Sequence, residues 1–271
     1  MIRYFFIVCL FLTLVVCKGS VHISTSGGRR TCIVTAHGDQ QNDVPNILTA
    51  FSKCSRKSTI IFPKGEKYWI EEKLHARLED VDISWHGTWL NHRAGFILSG
   101  DKIRLNGYHE GGIDGNGDVW YEEDKGISTE GRPMPFVLWN ITNSEIHNFQ
   151  VQQSQFWSLN IMNGTNLAFE NITCTAFSNN APAGKNWVQN ADGFNTMDAR
   201  NVSLNNFLYR GGDDCIAIKP RSYDIRINNI TCDGGNGVAI GSLGQYLEDS
   251  SVENVTITNA KVSYYDSFIT P

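Results

Sequence analysis

From Phe136 onward the chain alternates apolar and polar residues in short runs, and the three-to-four-residue spacing of an amphipathic helix is almost absent. Residues 145–149, 167–172, 202–207, 225–230 and 252–255 each alternate in this way and close on an Asn followed by an apolar residue. Their Asn positions, Asn148, Asn171, Asn206, Asn229 and Asn254, lie 23, 35, 23 and 25 residues apart, and the long interval holds the turn-rich segment 179–185. A period of about 20 to 25 residues made of short strands predicts an all-β solenoid in which each coil stacks on the one before. Leucine-rich repeats need a Leu consensus that is absent here, so a single-stranded parallel β-helix is expected. The recurrent Asn then reads as a turn residue that tolerates the left-handed conformation and stacks its amide between coils. Residues 103–107 read as a further coil, roughly two periods before Asn148, and residues 20–271 as one domain.

The start of the chain has a different pattern. Arg3 precedes an apolar run from Tyr4 to Val16, and small residues follow at Cys17 and Gly19. The run is shorter than the ~20 residues that cross a bilayer, so it predicts a signal peptide, residues 1–19, and an extracellular protein with no membrane anchor. Secretion suits the six N-x-S/T triplets at Asn140, Asn163, Asn171, Asn201, Asn229 and Asn254, which are candidate glycosylation sites. It also suits cysteine pairing. Loss of Cys9 and Cys17 with the leader leaves Cys32, Cys54, Cys174, Cys215 and Cys232, an odd number. No C-x-x-C pair occurs and all seven His lie between His22 and His147, which argues against a zinc site. The net charge of −5 becomes −7 without Arg3 and Lys18, which argues against nucleic acid as a partner. A monomer without metal or cofactor is expected.

Candidate chemistry emerges when carboxylates are placed on the repeat. Asp192 stands in Asn190–Ala191–Asp192–Gly193, and Asp213 and Asp214 stand 21 and 22 residues later in Gly211–Gly212–Asp213–Asp214–Cys215. One coil apart means stacked at about 4.8 Å, so the three acids are expected on one face. Like charges that close raise at least one pKa and destabilise a purely structural surface. Glycoside hydrolysis by inversion uses such a set, an acid and a base separated by about 6.5–9.5 Å with room for water, and side chains splayed from adjacent coils would span it. Other chemistries fit poorly. Residues 114–118 imitate the start of a calcium loop, but Val119 replaces its Gly and Lys125 its Glu. Gly235–Asn236–Gly237 is too long by one residue for a dinucleotide fingerprint, and no G-x-S-x-G elbow occurs.

The order N-x-D-G, then G-D-D-C one coil later, then a C-x-G-x-G coil resembles the polygalacturonase family of glycoside hydrolases. The resemblance covers roughly Cys32 to Ile257 and includes Asp43–Val44–Pro45, Ile61 to Gly65, and Ile113 to Gly117 before Trp120. It implies a right-handed parallel β-helix and inverting hydrolysis of an α-linked galacturonan, a pectic polysaccharide. By position Asp213 would be the general acid, with Asp192 and Asp214 holding and deprotonating the water. It also implies the disulfides Cys215–Cys232 and Cys32–Cys54, leaving Cys174 odd. Asn190, Asn236 and Lys219 are the candidate substrate contacts, with Arg221 a further cation for uronate carboxylates. Trp157 and Trp187 are candidates for stacking on sugar rings.

Two departures from the family pattern matter. Asn236 stands where the family carries the His of a G-H-G triplet, so any charge coupling to the acid is lost. Rhamnogalacturonan-cleaving relatives also depart there and are the alternative enzyme; a pectin-binding protein without turnover is the alternative of another class. The run Gly241 to Tyr246 looks like that of exo-acting members, so release of single galacturonates from chain ends is expected. The family's basic Arg-x-Lys motif, roughly two coils further on, has no counterpart, since residues 261–271 carry no Arg and Lys261 lies in another context. The sequence therefore reads as lacking C-terminal coils, with low solubility and little activity expected of it as written.

Overall fold

The computed structural model describes residues 19–91, 95–127, 131–245 and 250–263, so the expected leader, apart from Gly19, and the tail beyond Ser263 lie outside the described residues. An antiparallel hairpin, β1 (Ser20–Ser26) and β2 (Arg29–Thr35), leads into helix α1 (Val44–Lys53). Pro45 suits the first helical turn, where its missing N–H costs nothing. The helix buries Val44, Ile47, Ala50 and Phe51 and packs against β1, β2 and β5, the last being residues Leu74–Trp85. Asp43, fully buried before the helix, accepts from the backbone N–H of His37 and Trp69 and meets His37 Nδ1 at 2.9 Å.

Beyond this cap the chain winds as a right-handed parallel β-helix. Short strands β3 (Arg56–Phe62), β4 (Lys67–Ile70) and β6 (Thr88–Asn91) build the early coils with β5. They are followed by β7 (Phe96–Asn106), β8 (Gly112–Asp114) and helix α2 (Asp118–Asp124). Three strands of 17 residues come next, β9 (Phe136–Gln152), β10 (Leu159–Thr175) and β11 (Phe194–Arg210). The last are β12 (Asp214–Ile218), β13 (Ser222–Asp233), β14 (Gly237–Ile240) and β15 (Val252–Ser263). All pairings after the hairpin are parallel.

Register converts the alternation into a core. Leu105, Ile146, Phe169, Leu204 and Ile227 occupy equivalent positions of successive coils and are all buried. Phe51, Phe96 and Phe136 stack in parallel with centroids 5.7 and 5.4 Å apart, filling the first half of the bore with aromatic rings. Cys174 sits in the inward column Val151–Cys174–Tyr209–Cys232, one coil too far from Cys232 to bond it, and is a buried free thiol. The bridges Cys32–Cys54 and Cys215–Cys232 are both present.

The three 17-residue strands bend at residues of positive φ, and each of them has three such corners. They are Asn140, Asn143 and Asn148 in β9, Asn163, Asn166 and Asn171 in β10, and Asp198, Asn201 and Asn206 in β11. Two sequence expectations are corrected by this register. Asn254 does not continue the column of Asn229: it stacks on Asp224, donating Nδ2 to Oδ1 at 3.0 Å, while Asn259 aligns with Asn229. The motif of Asn followed by an apolar residue occurs at two corners five residues apart, so spacing alone confused them. Residues 103–107 are not two coils before Asn148 but one, since Asn106 pairs with His147; β8 keeps its place in that coil between β6 and the end of β9, and α2 lies in an insertion between β8 and β9.

Candidate active site

The carboxylates lie where coils turn. Asp192 ends the connection from β10 to β11, Asp213 closes the turn after β11, and Asp214 opens β12. Backbone bonding continues through these turns, Ser158 N–H to Asp192 O at 2.8 Å, Gly193 N–H to Asp214 O at 2.8 Å and Asn236 N–H to Asp213 O at 3.1 Å, so they stack like the strands beside them. Glycine is required for that closeness. A Cβ on Gly235, whose φ is +70°, would fall 2.0 Å from Asp213 O, and one on Gly193 would fall 2.5 Å from Cys215 O.

One carboxylate oxygen from each of Asp192, Asp213 and Asp214 lies within 4.8 Å of the others. The three acids expected on one face are together, but these closest oxygens are nearer than the 6.5–9.5 Å gap expected from splayed side chains. Asp213 is held by backbone hydrogen bonds on both oxygens: Oδ2 accepts the Asn190 N–H at 2.7 Å and Oδ1 the Asp214 N–H at 2.8 Å. Asn236, in the place of a family His, donates Nδ2 to Asp213 Oδ1 at 3.2 Å and to Asp214 Oδ1 at 3.1 Å. Its amide therefore joins the two adjacent acids without adding charge.

Burial sets the electrostatics. Asp192 is 2% exposed, and that desolvation, reinforced by the Asp213 charge and opposed by Lys219, raises its carboxyl to about 7. Asp214 is raised in the same direction, by burial first, with the Asn236 amide opposing. Lys219 is 8% exposed; its Nζ lies 3.6 Å from Asp192 Oδ2 and 4.0 Å from the centre of the Trp157 ring. Lys219 thus faces the acid cluster instead of standing free for a uronate, and Trp157 carries the ammonium. Arg221, the other expected cation, is bound by both oxygens of Asp198 at a corner. Trp187 packs against the small buried group of Tyr121, Ala176, Val188 and Ala191. The donors around the acids, two backbone N–H groups, an amide and an ammonium, compose a proton-transfer site more readily than a cation cage.

Two supports escaped the sequence reading. Tyr209, fully buried, accepts the Asp213 N–H at 3.0 Å and donates to Ala191 O at 3.0 Å, a pillar under both acidic turns. Arg132 reaches the Asn190 side chain, with Nη2 3.2 Å from Oδ1. Tyr209 is one more apolar-facing residue of an alternating strand, and Arg132 lies 60 residues before Asp192, so neither carries a local signal.

A profile described as Glycosyl hydrolases family 28 matches residues 62–267. A protein of Aspergillus niger carrying the name galacturan 1,4-alpha-galacturonidase C is 52% identical over 90% of this chain and 62% of its own length. An exopolygalacturonase of Cochliobolus carbonum is 31% identical over 89% of this chain and 57% of its own. The chain thus spans about six-tenths of the curated relatives it matches. Among solved structures, endo-xylogalacturonan hydrolase from Aspergillus tubingensis superposes with a TM-score of 0.78 at 28% identity, covering 86% of this chain and 65% of that one.

Proposed function

The chain belongs to glycosyl hydrolase family 28, and from that premise we propose that it is a secreted hydrolase that cleaves α-1,4-galacturonosyl bonds of polygalacturonan from chain ends, with inversion. The carrying observation is the triad of carboxylates drawn from two neighbouring coils, with Asp192 buried and raised to about 7. Such a concentration of like charge lowers stability and is what hydrolysis of a glycosidic bond uses. Asp213 gives its proton to the glycosidic oxygen as the bond to the anomeric carbon breaks. Asp192 and Asp214 hold a water; one of them takes its proton while its oxygen bonds the opposite face of the sugar. The set therefore returns with the number of protons it began with, and groups this close share them as one coupled system.

The exo mode is supported by the sequence run Gly241 to Tyr246 and by the names of the relatives, galacturonidase and exopolygalacturonase. Secretion is supported by the apolar start and the two disulfides. No helix among the described residues is long and apolar enough to cross a membrane. A second reading, internal cleavage of a xylose-bearing galacturonan, is favoured by the likeness to the Aspergillus tubingensis hydrolase.

Chromatography of digests decides between them. Free galacturonate as the first product from polygalacturonan is expected. Longer oligomers first would overturn the exo mode, turnover of xylogalacturonan or rhamnogalacturonan alone would replace the substrate, and binding without any reducing sugar would replace catalysis. Asp213→Asn should lower turnover at least about 100-fold, the scale of general-acid catalysis. Proton NMR of the first-formed anomer tests inversion, and an α-anomer would overturn it.

A further inference from the structure

Arg132 lies outside every motif that marks the site, yet it is 8% exposed and its guanidinium joins three separate segments. Nη1 donates to the backbone carbonyls of Gln155 at 3.2 Å and Gln189 at 2.8 Å, and Nη2 to Asn190 Oδ1 at 3.2 Å. On its far side Nε is 3.4 Å from Asp124 at the end of α2, both side chains being almost wholly buried. The guanidinium carbon stands 5.2 Å from the Phe156 ring centre, and Phe156 stacks on Trp157, the ring that carries Lys219. Arg132 and Lys219 thus bracket the acidic turns from two ends of one aromatic pair.

The next link is Asn190. Its φ is +58°, a conformation that an L-residue holds only when its surroundings define it. In that conformation its backbone N–H points at Asp213 Oδ2, 2.7 Å away. A fork of planar donors fixes both the carbonyl before Asn190 and the side chain of Asn190 itself, which a single ammonium cannot do. A buried cation is costly to desolvate, and an apolar side chain would fill the same space at less cost if packing were the need.

Resting on the hydrolytic reading above, we propose that Arg132 is a positioning residue: by holding Asn190 it aims that residue's N–H at Asp213 and fixes the carboxyl that protonates the leaving oxygen. The coupling runs guanidinium to Asn190 amide oxygen, Asn190 N–H to Asp213, with no contact between Arg132 and substrate required.

Steady-state kinetics on polygalacturonate with Arg132→Lys and Arg132→Met test it, beside thermal unfolding of each. Loss of one charge-assisted fork should lower kcat about 10- to 100-fold while KM changes less than about threefold. Lys restores charge without the fork, so Arg132→Lys should recover little; full recovery would mean that charge alone matters and would overturn positioning. In an Asn190→Gly background, which keeps the N–H and tolerates positive φ but lacks the amide acceptor, Arg132→Met should cost less than about threefold more. An undiminished loss there would sink the coupling through Asn190. A readout independent of turnover is the Asn190 amide proton in protein labelled with 15N-asparagine. It should shift in Asp213→Asn, and Arg132→Lys should shift it in the same direction; an Asn190 resonance unmoved by Arg132→Lys overturns the inference even if the variants are slow. If the wild-type chain hydrolyses no pectic polysaccharide, the functional reading fails, and the amide shift alone decides whether Arg132 orients the Asn190–Asp213 pair.

Discussion

Asp192 illustrates how one side chain trades stability for chemistry. Its carboxyl is raised from the ordinary 3.8 to about 7, so between those values the folded protein holds a proton that the unfolded chain has released. Stability therefore falls as pH rises through that window, is unaffected below about 4, and the loss is complete above about 7. Asp192→Asn removes the titration. It should abolish hydrolysis yet melt higher than the wild type at pH 8, by up to a few kcal/mol in stability, and no higher at pH 4. Equal differences at both pH values in calorimetry would contradict the assignment. The six sequons divide at the same scale. Asn171, Asn201, Asn229 and Asn254 donate Nδ2, the atom that would carry a glycan, to Asn148, Asn166, Asn206 and Asp224 of the preceding coil. Asn140 and Asn163 are exposed corners with no such bond among the described residues. Glycopeptide mass spectrometry of secreted protein should find sugar at Asn140 and Asn163 and little at the four ladder positions.

The element that repeats is a strand bent at left-handed corners, and Asn serves there for two separable reasons. It tolerates φ near +55°, and its amide bonds the coil before it, as Asn171 Nδ2 does to Asn148 Oδ1 at 2.9 Å. Asn171→Gly keeps the first and loses the second, about 0.5–1.5 kcal/mol. Asn171→Ala loses both and adds about 1–2 kcal/mol of left-handed strain. Denaturant titration should rank wild type above Gly above Ala; Ala equal to Gly would show the corner to be unstrained. The columns of corners were legible as a period in the sequence. Their number per coil was not, because Asp198, Arg221 and Asp224 take corners without being Asn, and because two Asn-bearing corners share one local motif.

Across the whole molecule, the acidic turns hang on the wall of the solenoid through Cys215–Cys232, a bridge that closes a segment of 17 residues within one coil, from β12 to β13. Opening it by Cys215→Ala with Cys232→Ala should cost about 3 kcal/mol. It should lower turnover more than it raises KM, since Cys215 adjoins Asp214; melting curves and kcat measured together check both. Alternation, period and the one-coil spacing of Asp192 from Asp213 and Asp214 were sufficient to derive a parallel β-helix with three acids on one face, because in a solenoid a sequence interval is a spatial step. Three things depended on the folded chain. Insertions such as the one that carries α2 between β8 and β9 break the interval, so the pairing of β7 with β9 is decided by hydrogen-bond register. The place of Lys219 against Asp192 and Trp157 is decided by how the side chains pack. The raised Asp192 carboxyl, the Tyr209 pillar and the reach of Arg132 to Asn190 arise from burial and from contacts across tens of residues, where local pattern carries no information and only the three-dimensional arrangement sets distance and dielectric.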